Sequence, residues 1–184
     1  MFLLRTASSD VTGLLHWIVK ELAENPVWIE RLRAEGDDGL PSRIVLETLR
    51  LHQSEYIHRR VLDPITQDGF VVPAGWNVRL CVHEAHRDPE VFPDPETFDP
   101  DRFLGRRYSS HEYQPFGRLG HRCLGAGTTQ SLAGVLVSQL AGYDLEVVRD
   151  GPAVFDKYHW RPSRRFRMRL TPGAVTALPR LEES

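Results

Sequence analysis

Phe116-Gly-Arg-Leu-Gly-His-Arg-Cys-Leu-Gly125 is the stretch on which the reading of this chain turns. It sets one cysteine, Cys123, in a glycine-rich turn that runs directly into an apolar helical pattern. A thiolate is a strong metal ligand, whereas a free cysteine at neutral pH is mostly thiol. At the first turn of a helix, unpaired backbone N–H groups and the positive dipole end favour the anion. Gly117, Gly120, Gly125 and Gly127 carry no side chain, so a flat ligand can lie close to the backbone. Phe116 supplies an aromatic wall, and His121 and Arg122 supply positive charge. Taken without its surroundings, the loop has the plainer alternative of a glycine-rich turn around a buried, inert cysteine.

The helix after Cys123 is expected to run to about Ala141, with strands near 143–148 and 165–171. Upstream, residues 87–115 are rich in Pro and Asp (Asp88-Pro89, Pro93-Asp-Pro95, Asp99-Pro100) and form either an ordered meander or a disordered linker. Short strands are expected at 56–61, 69–72 and 77–82, separated by Asp63-Pro64 and Pro73-Ala-Gly75. Three helices precede them. Leu4, Ala7, Val11, Leu14, Leu15, Ile18 and Leu22 recur at helical spacing over residues 1–24, and Phe2, Leu3 and Trp17 widen the face. Asn25-Pro26 ends that helix and starts the next, with Asn25 as N-cap and Pro26 in the first turn. The second helix reaches about Glu35, before Gly36-Asp-Asp-Gly39. The third begins near Pro41-Ser42 and carries Ile44, Val45, Leu46, Leu49 and Leu51. Residues 1–184 read as one domain, with 173–184 a frayed tail.

Composition narrows the function classes. The 184 residues are 41% hydrophobic, ordinary for a globular domain, and a chain of this size can bury around 70% of its unfolded surface. A net charge of −2 gives no reason to expect nucleic acid or an acidic membrane as partner. Cys81 and Cys123 do not make a disulfide framework, so the chain reads as reduced and cytoplasmic. Charges interrupt every apolar segment before it reaches transmembrane length, and Met1-Phe-Leu-Leu-Arg-Thr lacks the pattern of a signal peptide.

The thiolate, glycines and flanking cations of the loop are what a haem iron takes from an axial cysteine. The ten residues resemble the haem-binding signature of the cytochrome P-450 family, the haem-thiolate monooxygenases. That signature has Phe, Gly three residues later, Arg or His at five, Cys at seven and Gly at nine. Phe116, His121, Cys123 and Gly125 match it in register. Leu119 stands where the family has glycine, with Gly120 one place late. A positive φ at Leu119 would cost roughly 1–2 kcal/mol; the alternative is a turn shifted by one residue.

The resemblance extends along the chain. Glu47-Thr-Leu-Arg50 matches the family's Glu-x-x-Arg, and residues i and i+3 share a helical face. Phe98-Asp-Pro-Asp-Arg-Phe103 is similar to the family's meander motif and makes Arg102 the third member. The resemblance implies a structural triad of Glu47, Arg50 and Arg102 that holds the cysteine loop, since a buried carboxylate needs full pairing. Glu47 and Arg50 alone would read as a solvated pair worth roughly 0.3–0.5 kcal/mol. The same resemblance puts Arg60 and His121 on the haem propionates, against the plain reading of a strand arginine and a loop histidine. Residues 53–57 and 153–159 are similar in position to pocket-lining segments of the family. Tyr56, Ile57, Val154, Phe155 and Tyr158 there suit an apolar substrate or simple core packing.

The implied fold is α+β, mainly α: the C-terminal half of the cytochrome P-450 fold, with a distal-helix remnant, the Glu-x-x-Arg helix, small β-sheets, the meander, the cysteine loop and its following helix. The implied cofactor is haem b, iron protoporphyrin IX, bound by Cys123 with Phe116, Gly117 and Gly125 around it. The implied reaction is monooxygenation of an apolar small molecule, with electrons from NAD(P)H through a ferredoxin or flavoprotein reductase. Met1 falls where the family's long central helix begins, so a chain supplying the N-terminal half, or a second copy, would complete the site. A non-catalytic truncated haem-binding or interaction module and a peroxide-using haem-thiolate enzyme are the alternatives. The first helix departs further. Thr6-Ala-Ser-Ser-Asp10 stands where the family has Ala/Gly-Gly-x-Asp/Glu-Thr, so Ser9 replaces the acid and Asp10 the threonine. Asp10, with Thr12 nearby, is the candidate proton relay, or else part of an N-capping cluster of a later-starting helix.

Two further patterns are less specific. Cys81-Val-His83-Glu-Ala-His86 resembles a zinc cluster, but four ligands are needed and the fourth would have to come from elsewhere, with Cys123 and His111 as examples. A core edge is the simpler reading of these residues. Arg165, Arg167 and Arg169 form a basic strand face that no other basic element extends, which reads as solvated rather than nucleic-acid binding. Arg106, Arg107, Arg118 and Arg122 flank the cysteine loop, where the family docks an acidic electron-transfer protein; ordinary loop arginines are the alternative.

Overall fold

Pro26 lies where two helices meet. It cannot continue the first because its ring excludes the preceding turn and it has no N–H, yet its fixed φ suits the start of the second. A computed structural model describes residues 2–35, 39–52, 56–156 and 159–173. In it α1 spans Phe2–Glu24 and α2 Pro26–Glu35. Asn25 occupies the boundary expected of it. Its side-chain amide, however, donates back to Glu21 O at 2.9 Å and Glu21 Oε2 at 3.2 Å, while its carbonyl accepts from Trp28 N at 3.1 Å.

Helix α3, Leu40–His52, is the central post, with Leu40, Ile44, Val45, Leu49 and Leu51 buried together with Arg43, Glu47, Thr48 and Arg50. A helix buried on nearly every side must pair its charges internally. Around it close Leu14, Ile18 and Leu22 of α1, Trp28, Ile29 and Leu32 of α2, and Ala133, Val137 and Leu140 of α5, Ala126–Leu140. Trp17 lies flat on His52, with ring centroids 3.8 Å apart, and its N–H donates to Trp160 O at 2.9 Å.

The strands form four antiparallel pairs. β1 (Tyr56–Arg60) pairs with β4 (Asn77–Cys81), and β2 (Ile65–Gln67) with β3 (Phe70–Val72). β5 (Tyr143–Arg149) pairs with β8 (Arg167–Pro172), and β6 (Val154–Asp156) with β7 (His159–Arg161). β2, β6 and β7 do not stand out in the sequence, because three residues are too few to display an alternation. The strand expected over 77–82 stops at Cys81, and Val82–Ala85 coils into a short helix, α4. Cys81 and His83 therefore do not share a strand face.

Residues 87–115 take the ordered form of the two expected. Asp88 O accepts from Val91 N (3.1 Å) and Phe92 N (2.8 Å), Asp94 O accepts from Thr97 N (3.0 Å), and the Asp99 side chain caps a 3₁₀ turn at Pro100–Phe103. Phe92 stacks on Tyr108 at 4.7 Å and Phe103 meets Tyr113 at 5.2 Å, which gives this irregular segment its own apolar centre. The expected frayed tail beyond Gly173 lies outside the described residues. Among those described, no helix is long and apolar enough to cross a membrane.

Candidate haem-thiolate site

The i, i+3 spacing on α3 brings Glu47 and Arg50 side by side in full burial. Arg50 Nε donates to Glu47 Oε2 at 2.8 Å and Arg50 Nη2 to Oε1 at 2.9 Å, the bidentate fork geometry. Arg102, from the 3₁₀ turn of the meander, donates through Nε to Glu47 Oε1 at 2.9 Å, and Asp99 N adds a bond to the same oxygen at 3.0 Å. The remaining guanidinium donors are taken by main-chain carbonyls: His86 O (2.8 Å) and Thr97 O (3.3 Å) for Arg50, Pro93 O (2.9 Å) and Thr97 O (3.2 Å) for Arg102. A buried carboxylate and two cations are tolerable only with this degree of satisfaction. Asp101, next in sequence to Arg102, bonds Arg31 at 2.7 Å and lies 3.7 Å from Arg43, joining the meander to α2 and α3 a second time.

The loop itself closes on one backbone bond, from Cys123 N to Phe116 O at 2.8 Å. Between them Gly117 has φ 71° and Leu119 φ 52°. Leu119 thus occupies the left-handed position that a glycine would favour, and the turn has not shifted to Gly120. At Gly117 a Cβ would also stand 3.2 Å from His121 O, so both conformation and space select glycine. Gly125 has an ordinary φ of −84° and serves as the N-cap of α5, so Cys123 lies ahead of that helix rather than within its first turn. A Cβ at Gly125 would lie 3.8 Å from Cys123 Sγ, so the absent side chain leaves that flank of the sulfur open.

Cys123 is a free, exposed thiol. Beside it Leu119 is 85% and Leu124 102% exposed, an unusual setting for two leucines within six residues. His121 and Arg122 are exposed at the same turn, and Arg60 at the end of β1 opposite Asn77. An accessible sulfur ligand, exposed leucines and exposed basic side chains fit the donor set of a flat, anionic metal macrocycle. Tyr56 and Phe155, from the two expected pocket segments, meet with ring centroids 6.3 Å apart, and Phe155 touches Trp160 at 5.3 Å. Ile57 is half-buried and Val154 exposed, while Tyr158 lies outside the described residues.

The proton-relay candidates lie two residues apart on α1. Thr6–Asp10 lies inside α1, so the cluster does not cap a later-starting helix. Asp10 is half-buried and Thr12 exposed, as residues two apart on a helix point in different directions. The side chain of Ser9 lies outside the described residues. The zinc pattern separates: among the described residues no three His, Cys, Asp or Glu side chains gather as a metal site. Arg87 Nη1 lies 3.1 Å from His83 Nδ1, and His86 is fully buried. Of the basic residues near the loop, Arg118 lies against both ring nitrogens of His111 (2.9 and 3.1 Å) and Arg106 over Tyr108 (4.3 Å). Arg169 of the tail pairs with Glu146 at 2.6 Å.

Two residues outside the haem-thiolate motifs belong to this network. The His86 ring accepts a hydrogen bond from Gln114 N at 2.9 Å, and the Tyr113 hydroxyl donates to Leu46 O at 2.8 Å. Burial, with the nearby Arg50 and Arg87 charges, pushes the His86 pKa down to about 3. Desolvation and the Glu47 charge hold the Tyr113 phenol well above its usual 10. In the sequence His86 stands out only as the end of the Cys81–His86 zinc pattern, and Tyr113 not at all.

Buried triad, meander and open cysteine loop together define a haem-thiolate scaffold. Residues 11–153 match the cytochrome P450 family model, and the chain belongs to that family. Abscisic acid 8'-hydroxylase CYP707A1 of Solanum lycopersicum is 33% identical over 141 residues, 65% of this chain and 29% of that protein. Cyclooctat-9-en-7-ol 5-monooxygenase of Streptomyces melanosporofaciens is 31% identical over 155 residues, 73% of this chain and 34% of that protein. Among solved structures, retinoic acid-bound cyanobacterial CYP120A1 superposes with a TM-score of 0.80 at 24% identity, covering 89% of this chain and 42% of that one. CYP175A1 of Thermus thermophilus gives 0.76, covering 88% and 41%. The chain thus spans about a third of these curated relatives and about two-fifths of these structures. The family's cofactor is haem b.

Proposed function

We propose that this chain is the cysteine-bearing part of a haem-dependent monooxygenase that acts on an apolar small molecule. The observation that carries this reading is the closed Phe116–Cys123 loop, which presents an exposed thiol beside exposed leucines. Cys123 would hold the iron of haem b, Phe116, Gly117 and Gly125 would let the ring approach, and Arg60 and His121 would take its propionates. When bound, the haem would supply oxygen activation, with the thiolate pushing electron density that favours O–O cleavage. Tyr56, Ile57 and Phe155 would exclude water from the substrate side. Glu47, Arg50 and Arg102 would hold the loop without reacting. Asp10 and Thr12 are the candidates for moving protons. The half-burial of Asp10 favours it over Thr12, and unchanged turnover and coupling in Asp10→Asn would reject that role.

Electrons would reach this site from NAD(P)H through a ferredoxin or flavoprotein docking near Arg106, Arg107, Arg118 and Arg122. A reduction rate insensitive to ionic strength would count against that docking. The deciding test is the absorption spectrum of the reduced, carbon-monoxide-bound protein. A red-shifted thiolate Soret band, lost in Cys123→Ala, is expected; failure to bind haem, alone or with any companion chain, would overturn the reading. The exposure of Leu119 and Leu124 favours a second reading, in which this chain holds haem without turning over until further polypeptide covers it. Turnover restored by adding a companion containing the family's N-terminal half would distinguish the two. Turnover with peroxide alone would instead mark a peroxide-using enzyme.

A further inference from the structure

A connected set of hydrogen bonds runs from the triad to the cysteine, and one side chain supplies the step that the motifs leave open. Arg50, paired to Glu47, donates through Nη1 to the carbonyl of His86 at 2.8 Å. The ring of the same residue turns toward the incoming strand of the loop, where Nε2 accepts from Gln114 N at 2.9 Å. Gln114 O then accepts from Gly117 N at 3.0 Å, and Phe116 O from Cys123 N at 2.8 Å. No side chain of the triad makes any of these last three bonds.

We propose that His86 is a positioning residue that fixes the cysteine loop to the Glu47–Arg50–Arg102 network through the acceptor nitrogen of its ring. An amide N–H can donate to Nε2 only if that nitrogen carries no proton, so His86 is the neutral Nδ1–H tautomer. Its surroundings enforce this form. It is fully buried, lies parallel to Tyr113 at 5.1 Å and edge-on to Phe92 at 6.0 Å, and stands near two guanidinium groups. The two aromatic rings fix the imidazole plane. The Tyr113 hydroxyl is in turn held by Leu46 O on α3. The loop is therefore registered to α3 twice, by the His86 carbonyl and ring and by the neighbouring phenol.

The proposal rests on the reading of Cys123 as the haem ligand for its functional meaning, but its test does not require haem. Hydrogen exchange would be followed by mass spectrometry on the full chain and on His86→Phe, which keeps the ring stacking and the bond from Arg50 to the His86 carbonyl but removes both ring hydrogen bonds, the acceptor to Gln114 N and the bond to the Arg50 backbone. Exchange over residues 114–123 is expected to rise about tenfold or more, with α3 and α5 unchanged, and His86→Gln, whose carbonyl can accept, to recover part of the protection. Wild-type exchange in the loop of His86→Phe, or an equal rise throughout the helices, would overturn the proposal. If His86→Phe does not fold, ring ¹⁵N shifts of the wild-type protein decide. An unprotonated Nε2 between pH 5 and 8 supports the proposal, and a protonated one ends it. The carbon-monoxide spectrum with Cys123→Ala reports separately on the ligand.

Discussion

Leu119 carries a left-handed backbone, φ 52°, on a side chain that is 85% exposed. Nothing buried offsets the strain, so Leu119→Gly should stabilise the chain by about 1 kcal/mol, the left-handed penalty less the added entropy of a glycine. A urea midpoint that falls in this variant would contradict the argument. His86 makes a prediction of opposite kind. Its folded pKa lies near 3, below the 6.5 of a free imidazole, so the folded state disfavours the proton. The stability this contributes is fully present above pH 6.5 and is lost as the pH falls toward 3, by up to about 1.4 kcal/mol per unit. The acid limb of a stability–pH curve should therefore be shallower in His86→Gln than in the wild type, and equal slopes would reject the assignment.

At the scale of elements, α3 and the meander are held by charge rather than by apolar packing alone. Glu47→Gln would leave Arg50 and Arg102, with side chains 0% and 5% exposed, facing a neutral amide, at a cost of about 3–5 kcal/mol. Asp101→Asn acts at a half-exposed pair and should cost no more than about 1 kcal/mol. Denaturant titration of both variants checks the contrast; equal losses would mean that burial does not set the energetics here. The Glu-x-x-Arg pair was legible because its spacing is local and its partner Arg102 follows in a recognisable motif. The tie between His86 and Gln114 was not, because it joins residues 28 positions apart through a ring whose direction only packing determines. Strands β2, β6 and β7 were illegible for another reason: their pairing is decided by neighbours rather than by their own alternation.

Across the whole molecule, apolar surface is left open in several places. Leu119 and Leu124 lie at the loop, Leu132 (49% exposed) and Val135 (60%) on α5, and Phe70 (77%) and Trp76 (62%) near the β2–β3 hairpin. Patches of this kind drive association. The isolated chain should self-associate with rising concentration, and Val135→Lys should shift it toward monomer in sedimentation velocity. Concentration-independent monomers would show that this surface is tolerated.

The sequence by itself determined the scaffold class and the position of the sulfur. Both rest on local patterns: helical periodicity, an i, i+3 ion pair, turn-forming prolines, and glycines around one cysteine. Only the tertiary structure decided that Leu119 takes the strained turn, that Pro- and Asp-rich residues 87–115 are ordered, and that a neutral histidine joins the triad to the loop. Each of those outcomes depends on which groups burial brings together and which it leaves in water, and that is set by the packing of segments far apart in the chain.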